Sequence, residues 1–178
     1  MTIRTRKIVN FISFYLAWPL CVLPAAKGML LLGPLLCLPL ILIHFFVICE
    51  ARERAQEFRL MIFATLLGFI LDSTLWKLKL VIYSPSPWPQ PFAPLWILAL
   101  WATFANAFRY SLAWLSRNPM FPILFGAIGG PLGFFAAKNL GALSLDPRLW
   151  PSLLALSISW CVAVPVLARI ALFPKRNF

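Results

Sequence analysis

The stretch 95–143 decides the fold, and it reads LWILALWATFANAFRYSLAWL (95–115), SRNP (116–119) and MFPILFGAIGGPLGFFAAKNLGAL (120–143). Each apolar run is long enough to cross a bilayer, because a helical crossing needs about 20 predominantly apolar residues. Only the short segment 116–119 separates the two runs, so the chain must turn back immediately. This stretch predicts two consecutive transmembrane helices that run in opposite directions.

The same composition extends over the whole chain of 178 residues, of which 62% are hydrophobic and 12% are charged. An ordinary soluble domain is about half apolar and a quarter charged, so a soluble globular fold is excluded. We predict an all-α fold in which residues 1–178 form a single integral membrane domain, a polytopic transmembrane helical bundle. Its six predicted helices are 8–26, 28–49, 60–83, 95–115, 120–143 and 149–173.

Two connections have a distinctive composition. The polar segment 50–59 carries three acidic and three basic residues, and we interpret it as helix that extends into the membrane interface. The segment 84–94 contains five prolines, which favour an extended polyproline II path with Trp88 as an interface anchor.

The distribution of basic residues predicts the orientation. Six crossings place both termini on one side, and ten Lys and Arg residues fall at or near that side against five on the other. The positive-inside rule then predicts cytoplasmic termini for this multi-pass protein. We do not expect nucleic-acid binding despite the net charge of +11, because the charges are divided between two membrane faces.

Asp72 is the only acidic residue deep in a predicted span. A carboxylate at the centre of a membrane helix costs about 2.5–3.5 kcal/mol unless it is paired or neutralised. Counting residues from the predicted boundaries places Asp72 near the bilayer midplane. Two interpretations are open: a candidate catalytic group that handles a proton or orients a substrate, or a side chain that locks helices 3 and 4 together.

Three polar residues of predicted helix 4 share one face with the spacing i, i+3 and i+4, namely Asn106, Arg109 and Tyr110. Together with Asp72 they form the predicted polar or ligand-binding cluster. Arg109 either pairs with Asp72 or extends its guanidinium to the cytoplasmic interface.

Helix 5 carries overlapping GxxxG spacings, Gly126–Gly130 and Gly129–Gly133. Small residues at this spacing allow another helix to approach closely. Pro131 frees the carbonyl of Ala127, which a polar side chain or a ligand can then use. We predict helix packing for these residues, and a binding site at a broken helix is the alternative.

The remaining reactive side chains form no recognisable motif. His44, near the end of predicted helix 2, is interpreted as an interfacial histidine, and the four cysteines as small apolar residues. No Cys or His spacing is typical of a metal site. We therefore expect no metal and no cofactor.

Several blocks carry a family resemblance: ARERAQEFR (51–59), LDS (71–73), APLWILALW (93–101) and GAIGGPL (126–132). Through them the chain resembles, over nearly its whole length, an uncharacterised family of small bacterial inner-membrane proteins with a domain of unknown function. Members of that family often carry Asn-His where this chain has Arg109 and Tyr110, and Ser-Tyr where it has Gly133 and Phe134. These departures argue against a proton shuttle that depends on the histidine.

Two functions follow as hypotheses, and neither decides whether the protein is an enzyme. The first is a non-enzymatic scaffold or accessory subunit that binds a membrane-protein partner or a second copy of itself. The alternative is a lipid- or fatty-acyl-handling protein, enzyme or transporter-like, that uses the polar cluster around Asp72. A cavity open to lipid beside Asp72 favours the second hypothesis, and a close-packed midplane favours the first.

Overall fold

The computed structural model describes residues 1–83 and 90–172, and 77% of it is helical. The predicted all-α class with six helices is confirmed. The α-helices are α1 (Ile3–Ala26), α2 (Leu32–Ile43), α3 (Arg54–Lys77), α4 (Leu95–Ala105), α5 (Met120–Asn139) and α6 (Trp150–Leu172). The described residues also form a π-helix at His44–Ile48, 3-10 helices at Ala51–Glu53 and Ala113–Arg117, and strands β1 (Val81–Tyr83) and β2 (Leu143–Leu145).

Four helical segments are long and apolar enough to cross a membrane, namely Ile3–Ala26, Ala51–Lys77, Met120–Asn139 and Trp150–Leu172. The apolar segments Leu32–Ile48 and Leu95–Ala105 are shorter. At about 1.5 Å per residue, α4 is roughly 16 Å long, about half of a hydrocarbon core. Length and composition therefore make this a membrane protein, while six crossings and cytoplasmic termini remain predictions.

Helix α3 begins and ends about six residues earlier than the predicted 60–83. Its end is a Schellman motif, in which the Leu80 N–H donates to the Leu75 carbonyl and the Lys79 N–H donates to the Trp76 carbonyl. Lys79 adopts the left-handed conformation that this motif requires, with φ of 59°. The apolar residues that follow Lys79 continue into β1 and not into the helix.

Helix α5 ends in the same way, four residues before the predicted 143. The Ala142 N–H donates to the Ala137 carbonyl, and Gly141 has φ of 88°. β2 follows and pairs with β1 as an antiparallel ribbon in which Val81 faces Leu145 and Tyr83 faces Leu143. The Ser152 hydroxyl of α6 donates to the Leu80 carbonyl at 2.5 Å, which holds the ribbon against α6. We call this end of the molecule the ribbon end. The sequence pattern does not predict the ribbon.

Helix α4 ends at Ala105, ten residues before the predicted boundary. From Asn106 onward the chain forms single turns and the 3-10 helix Ala113–Arg117. Asn10 of α1 explains part of this break, because its Nδ2 donates to the Asn106 carbonyl at 2.9 Å and its Oδ1 accepts from the Ser111 N–H at 3.1 Å. These long-range hydrogen bonds replace helical ones.

Three helix pairs dominate the packing: α1 with α2, α3 with α4, and α5 with α6. Helix α1 also packs on α4, and α3 also packs on α6. The core contains many residues of α4 and of the turns that follow it. Trp88 with most of the predicted proline-rich connection, and the basic tail 174–178, lie outside the described residues.

Candidate functional site

An apolar cavity of about 360 Å³ lies between α1, α4, α5 and α6. Tyr15 of α1 and Gly129 of α5 line it and are exposed, so the cavity opens between these two helices. Its ribbon end is lined by Val22, Trp96 and Leu143, and its opposite end by Phe14, Phe104 and Phe125. The lining contains four tryptophans, Trp18, Trp96, Trp101 and Trp160.

The two GxxxG spacings of α5 have different structural roles, one in helix packing and one in the cavity lining. A Cβ at Gly126 would lie 2.2 Å from the Trp160 carbonyl oxygen, and one at Gly130 would lie 2.4 Å from the Trp160 ring. Gly126 and Gly130 therefore allow α6 to pack closely within this chain. A Cβ at Gly129 would meet only Phe125 at 4.0 Å, and one at Gly133 only Trp18 at 3.7 Å. Gly129 and Gly133 line the cavity, and their missing side chains enlarge it.

Pro131 lies inside α5, as the sequence indicates. Because proline has no N–H, the carbonyl of Ala127 loses its helical partner. The hydroxyl of Ser157 in α6 donates to this carbonyl at 2.8 Å. The acceptor freed by Pro131 is therefore used by a polar side chain within the chain.

Asp72 is buried, and it is hydrogen-bonded to Trp101, one of the residues that line the cavity. The Trp101 Nε1 donates to Asp72 Oδ2 at 2.7 Å, and the Tyr83 hydroxyl donates to Asp72 Oδ1 at 2.5 Å. Burial, together with the neighbouring carboxylate, holds the pKa of Tyr83 well above its ordinary value, so the phenol keeps the proton that it donates. Asp72 therefore connects α3 with α4 and with the ribbon.

Gly68 gives the Trp101 indole its position. A Cβ at Gly68 would lie 2.2 Å from that ring, so only glycine accommodates the indole against α3. On its other side the indole stacks on Trp160, with ring centroids 4.8 Å apart. Trp101 therefore forms a wall of the cavity that is held from both sides.

Asp72 lies nearer the end of its helix than the predicted boundaries 60–83 place it. Asp72 precedes Lys77, the last residue of α3, by five positions, which is about 7–8 Å along the helix axis. Since α3 begins and ends earlier than expected, its centre lies near Thr65 and Leu66. Asp72 belongs to the ribbon end.

A second buried polar cluster lies at the opposite end, around Glu57. The Arg109 Nε lies 3.1 Å from Glu57 Oε1, an ion pair without the alignment of a hydrogen bond, and His44 Nε2 lies 3.3 Å from Glu57 Oε2. Arg109 also donates to Gln56 Oε1 at 3.0 Å. On the other side of His44, its Nδ1 lies 3.5 Å from Asn10 Nδ2. Glu57 and His44 are buried almost completely.

The structure does not bring the four residues of the predicted polar cluster together. Asp72 binds Tyr83 and Trp101 at the ribbon end, whereas Arg109 pairs with Glu57 at the opposite end. The Asn106 carbonyl accepts from Asn10, and the Tyr110 hydroxyl lies 3.5 Å from Glu53. The expected i, i+3, i+4 face does not exist, because α4 ends before these three residues.

The sequence does not predict the buried cluster of His44 and Glu57. It predicts an interfacial position for His44, and it places Glu57 in the polar segment 50–59, which is interpreted as helix that extends into the membrane interface. The spacing of three or four positions among Glu57, Leu60, Ala64, Gly68 and Asp72 is the available signal, and these residues are buried in α3. A helix 3 that begins at residue 54 places both carboxylates on one face.

The polar side chains around Asp72 and around Glu57 are better suited to holding segments of the chain in place than to catalysing a chemical reaction. Each oxygen of Asp72 already accepts from a protein donor, and both nitrogens of His44 have protein partners. Among residues 1–83 and 90–172, no group of three His, Cys, Asp or Glu side chains is arranged to hold a metal ion. The feature with room for a ligand is the apolar cavity.

Four long apolar helices define the class of this chain: an α-helical membrane protein. A family model described as protein of unknown function (DUF2878) matches residues 7–166, nearly the whole chain, and the chain belongs to that family. Comparison with curated proteins and with solved structures finds no similar protein.

Proposed function

We propose that the protein binds a hydrocarbon chain of a lipid in the cavity between α1 and α5, and so handles lipid or fatty-acyl molecules in the membrane. The observation that carries this proposal is the cavity itself, with about 360 Å³ of space and a lining that is almost entirely aromatic, aliphatic or glycine. Ligand sites in proteins commonly have volumes of about 300–1,000 Å³.

The chemistry of the lining selects an apolar occupant. The hydroxyl of Thr103, a polar group in the lining, donates to the carbonyls of Ala99 and Leu100. A polar ligand placed along the middle of the cavity would lose its hydration without compensation. A hydrocarbon chain has no such loss, and dispersion contacts with the rings of Trp18 and Trp160 stabilise it.

The surroundings of the cavity supply such an occupant. In a membrane, the medium beside the exposed residues Tyr15 and Gly129 is lipid. A chain therefore enters sideways between α1 and α5 without crossing water. Trp101 forms a wall of the cavity, and its hydrogen bond to Asp72 holds it in place. This supports the hypothesis of a lipid-handling protein with one change: Asp72 positions a wall of the cavity and does not contact the lipid.

The scaffold or accessory role stays a prediction. One of its motives was the glycine-rich helix, but Gly126 and Gly130 are used against α6 inside this chain. Partner binding therefore has less support from α5 than lipid binding does.

Tryptophan quenching tests the proposal. Bromine quenches tryptophan fluorescence at contact distance, and four tryptophans line the cavity. We expect a brominated long-chain alkane to quench the detergent-purified protein saturably. Gly129→Leu fills the cavity and improves helix propensity, so it should abolish most of the saturable quenching without loss of thermal stability.

The matched control is Leu132→Phe, which adds bulk to an exposed residue of the same helix outside the cavity. It should titrate like the wild type. If Gly129→Leu, folded as judged by circular dichroism, is quenched with an unchanged midpoint and amplitude, the cavity is not the binding site and the proposal is wrong.

A further inference from the structure

Trp96 has an unused hydrogen-bond donor in the wall of the cavity. It is the second residue of α4, at the ribbon end, and it is 1% exposed. Its Nε1 is buried and has no hydrogen-bond partner among residues 1–83 and 90–172. The other indole that lies deep in the wall, Trp101, donates to Asp72.

An orphan donor of this kind needs an explanation. Most buried N–H groups in folded proteins are paired, because an unpaired one loses its hydrogen bonds to water and gains none in the protein. Trp96 contacts the Tyr83 ring, with centroids 5.8 Å apart, but its Nε1 forms no hydrogen bond with the Tyr83 hydroxyl, which donates to Asp72. Because Trp96 lines the cavity, a ligand bound there can supply the acceptor.

Basic residues flank this end of the cavity without lining it. Lys27 caps α1 beyond the lining residue Val22 and is exposed. Lys138 follows the lining residue Ala137, and its Nζ lies 5.6 Å from the centroid of the Phe135 ring, outside the lining. The described acidic residues at the ribbon end are both engaged: Asp72 accepts from Trp101 and Tyr83, and Asp146 pairs with Arg148 at 3.3 Å.

The opposite end of the cavity offers no comparable partner. It is closed by Phe14 and Phe104, whose ring centroids are 5.8 Å apart. The Thr103 hydroxyl near this end already donates within α4. The cavity thus has at its ribbon end an N–H donor that no described residue engages, and at its opposite end aromatic rings, which gives a bound chain a direction.

From these observations we infer that the cavity takes a long-chain fatty acid, with a carboxyl oxygen accepting a hydrogen bond from Trp96 Nε1 and the hydrocarbon tail extending past Trp18 and Trp101 toward Phe14. This inference rests on the proposed function and adds to it the class of ligand and its direction. A single acyl chain suits one undivided cavity.

Two probes and two variants test the inference. The probes are a brominated fatty acid and the brominated alkane of the same length, and each is titrated into detergent-purified protein with tryptophan quenching as the readout. Trp96→Phe removes the N–H and keeps an aromatic ring. Trp150→Phe is the matched control, since Trp150 is exposed and lies outside the cavity lining. Midpoints are compared and not amplitudes, because each variant loses one fluorophore.

We expect Trp96→Phe to raise the midpoint for the fatty acid by about three- to tenfold, the effect of one hydrogen bond, and to leave the midpoint for the alkane unchanged. Trp150→Phe should change neither. Equal midpoints for the fatty acid in Trp96→Phe and wild type overturn the inference while alkane binding still supports the proposed function. If neither probe quenches the wild type saturably, both are overturned. A parallel weakening for both probes shows a packing effect of the ring and also overturns the assigned hydrogen bond.

Discussion

Glu57 shows how a carboxylate is accommodated in an apolar protein. It is fully buried in α3, but Arg109 and His44 approach its two oxygens from separate segments of the chain. Burying charged groups is costly, and breaking a buried pair by removing one partner is more costly still. The cluster therefore acts as a connector of the π-helical segment His44–Ile48, α3 and the turns after α4.

Glu57→Ala should destabilise the protein by about 3–5 kcal/mol, because it leaves Arg109 without a counter-charge. Thermal unfolding in detergent micelles measures this effect. Glu50→Ala is the control, since Glu50 is partly exposed and its pairs with Arg6 and Arg52 are each worth about 0–1 kcal/mol. Equal melting temperatures for Glu57→Ala and the wild type would show that the cluster does not stabilise the fold.

Asp72 should tolerate one substitution and not another. In Asp72→Asn, the amide oxygen still accepts from Trp101, and the Tyr83 hydroxyl can accept from the amide nitrogen. Asp72→Leu strands both donors, at about 1–3 kcal/mol for each. We expect a normal melting temperature for Asp72→Asn and a clearly lower one for Asp72→Leu. The reverse order would contradict the positioning role assigned to Asp72.

Sequence reasoning at the scale of residues found Asp72 but not its partners. A deep acidic residue is visible in any apolar segment, whereas Tyr83 and Trp101 bind it only because α3 ends at Lys77 and the ribbon folds back. For Arg109 the sequence leaves open a pair with Asp72 or an interfacial position, and the pair with Glu57 depends in the same way on where the helices end.

At the scale of elements, the end of α4 is the largest departure from expectation. The run 95–115 is apolar throughout apart from a few residues, and composition alone does not distinguish a full crossing from an 11-residue helix followed by buried turns. The turns are stable because Asn10 of α1 satisfies their backbone groups. Such a contact between residues far apart in the chain leaves no local signal.

The contact of α5 with α6 predicts opposite effects for neighbouring glycines. Gly126→Ala places a Cβ against the backbone of Trp160, at 2.2 Å from its carbonyl oxygen, so the two helices must separate. Gly129→Ala makes only an ordinary van der Waals contact with Phe125 at 4.0 Å and gains up to about 1 kcal/mol of helix propensity. Melting temperatures should fall for Gly126→Ala and stay level or rise for Gly129→Ala. A fall for both of similar size would argue against the division of the two spacings.

The contact of α1 with α2 contains a thiol pair. Cys21 and Cys37 are buried with their Sγ atoms 3.2 Å apart, and Gly33 allows this close approach. We expect copper phenanthroline to join these two cysteines in the folded protein and to leave Cys49 and Cys161 as thiols. Mass spectrometry of peptides alkylated after unfolding checks this outcome. Free Cys21 and Cys37 after oxidation that modifies Cys161 would contradict the packing of the two helices.

At the scale of the whole molecule, composition was a sufficient guide to fold class. With 62% hydrophobic and 12% charged residues, the chain is suited to lipid, where its backbone N–H and C=O groups must pair with one another. An α-helix forms these hydrogen bonds within a single segment. The sequence does not predict the ribbon, because strands of three residues have too little pattern to detect. It does not predict the cavity either, because the cavity arises only from the packing of α1, α4, α5 and α6.

The distribution of charge predicts the sidedness of the molecule. In the predicted topology of six crossings, ten basic residues fall at or near the side of both termini, so we expect reporter fusions at the two termini to report the cytoplasm. The segment between α5 and α6, which carries Arg148, should report the other side. Opposite signals from the two termini would require an odd number of crossings and would exclude the six-helix topology.

The ribbon at one end of the molecule has a consequence for biogenesis. β1 pairs with residues 143–145, which are synthesised roughly 60 positions later, so β1 has no partner strand until α4 and α5 have been made. Ser152 of α6 then binds the Leu80 carbonyl. The ribbon, and the walls that α5 and α6 contribute to the cavity, are therefore completed only after these two helices have been synthesised.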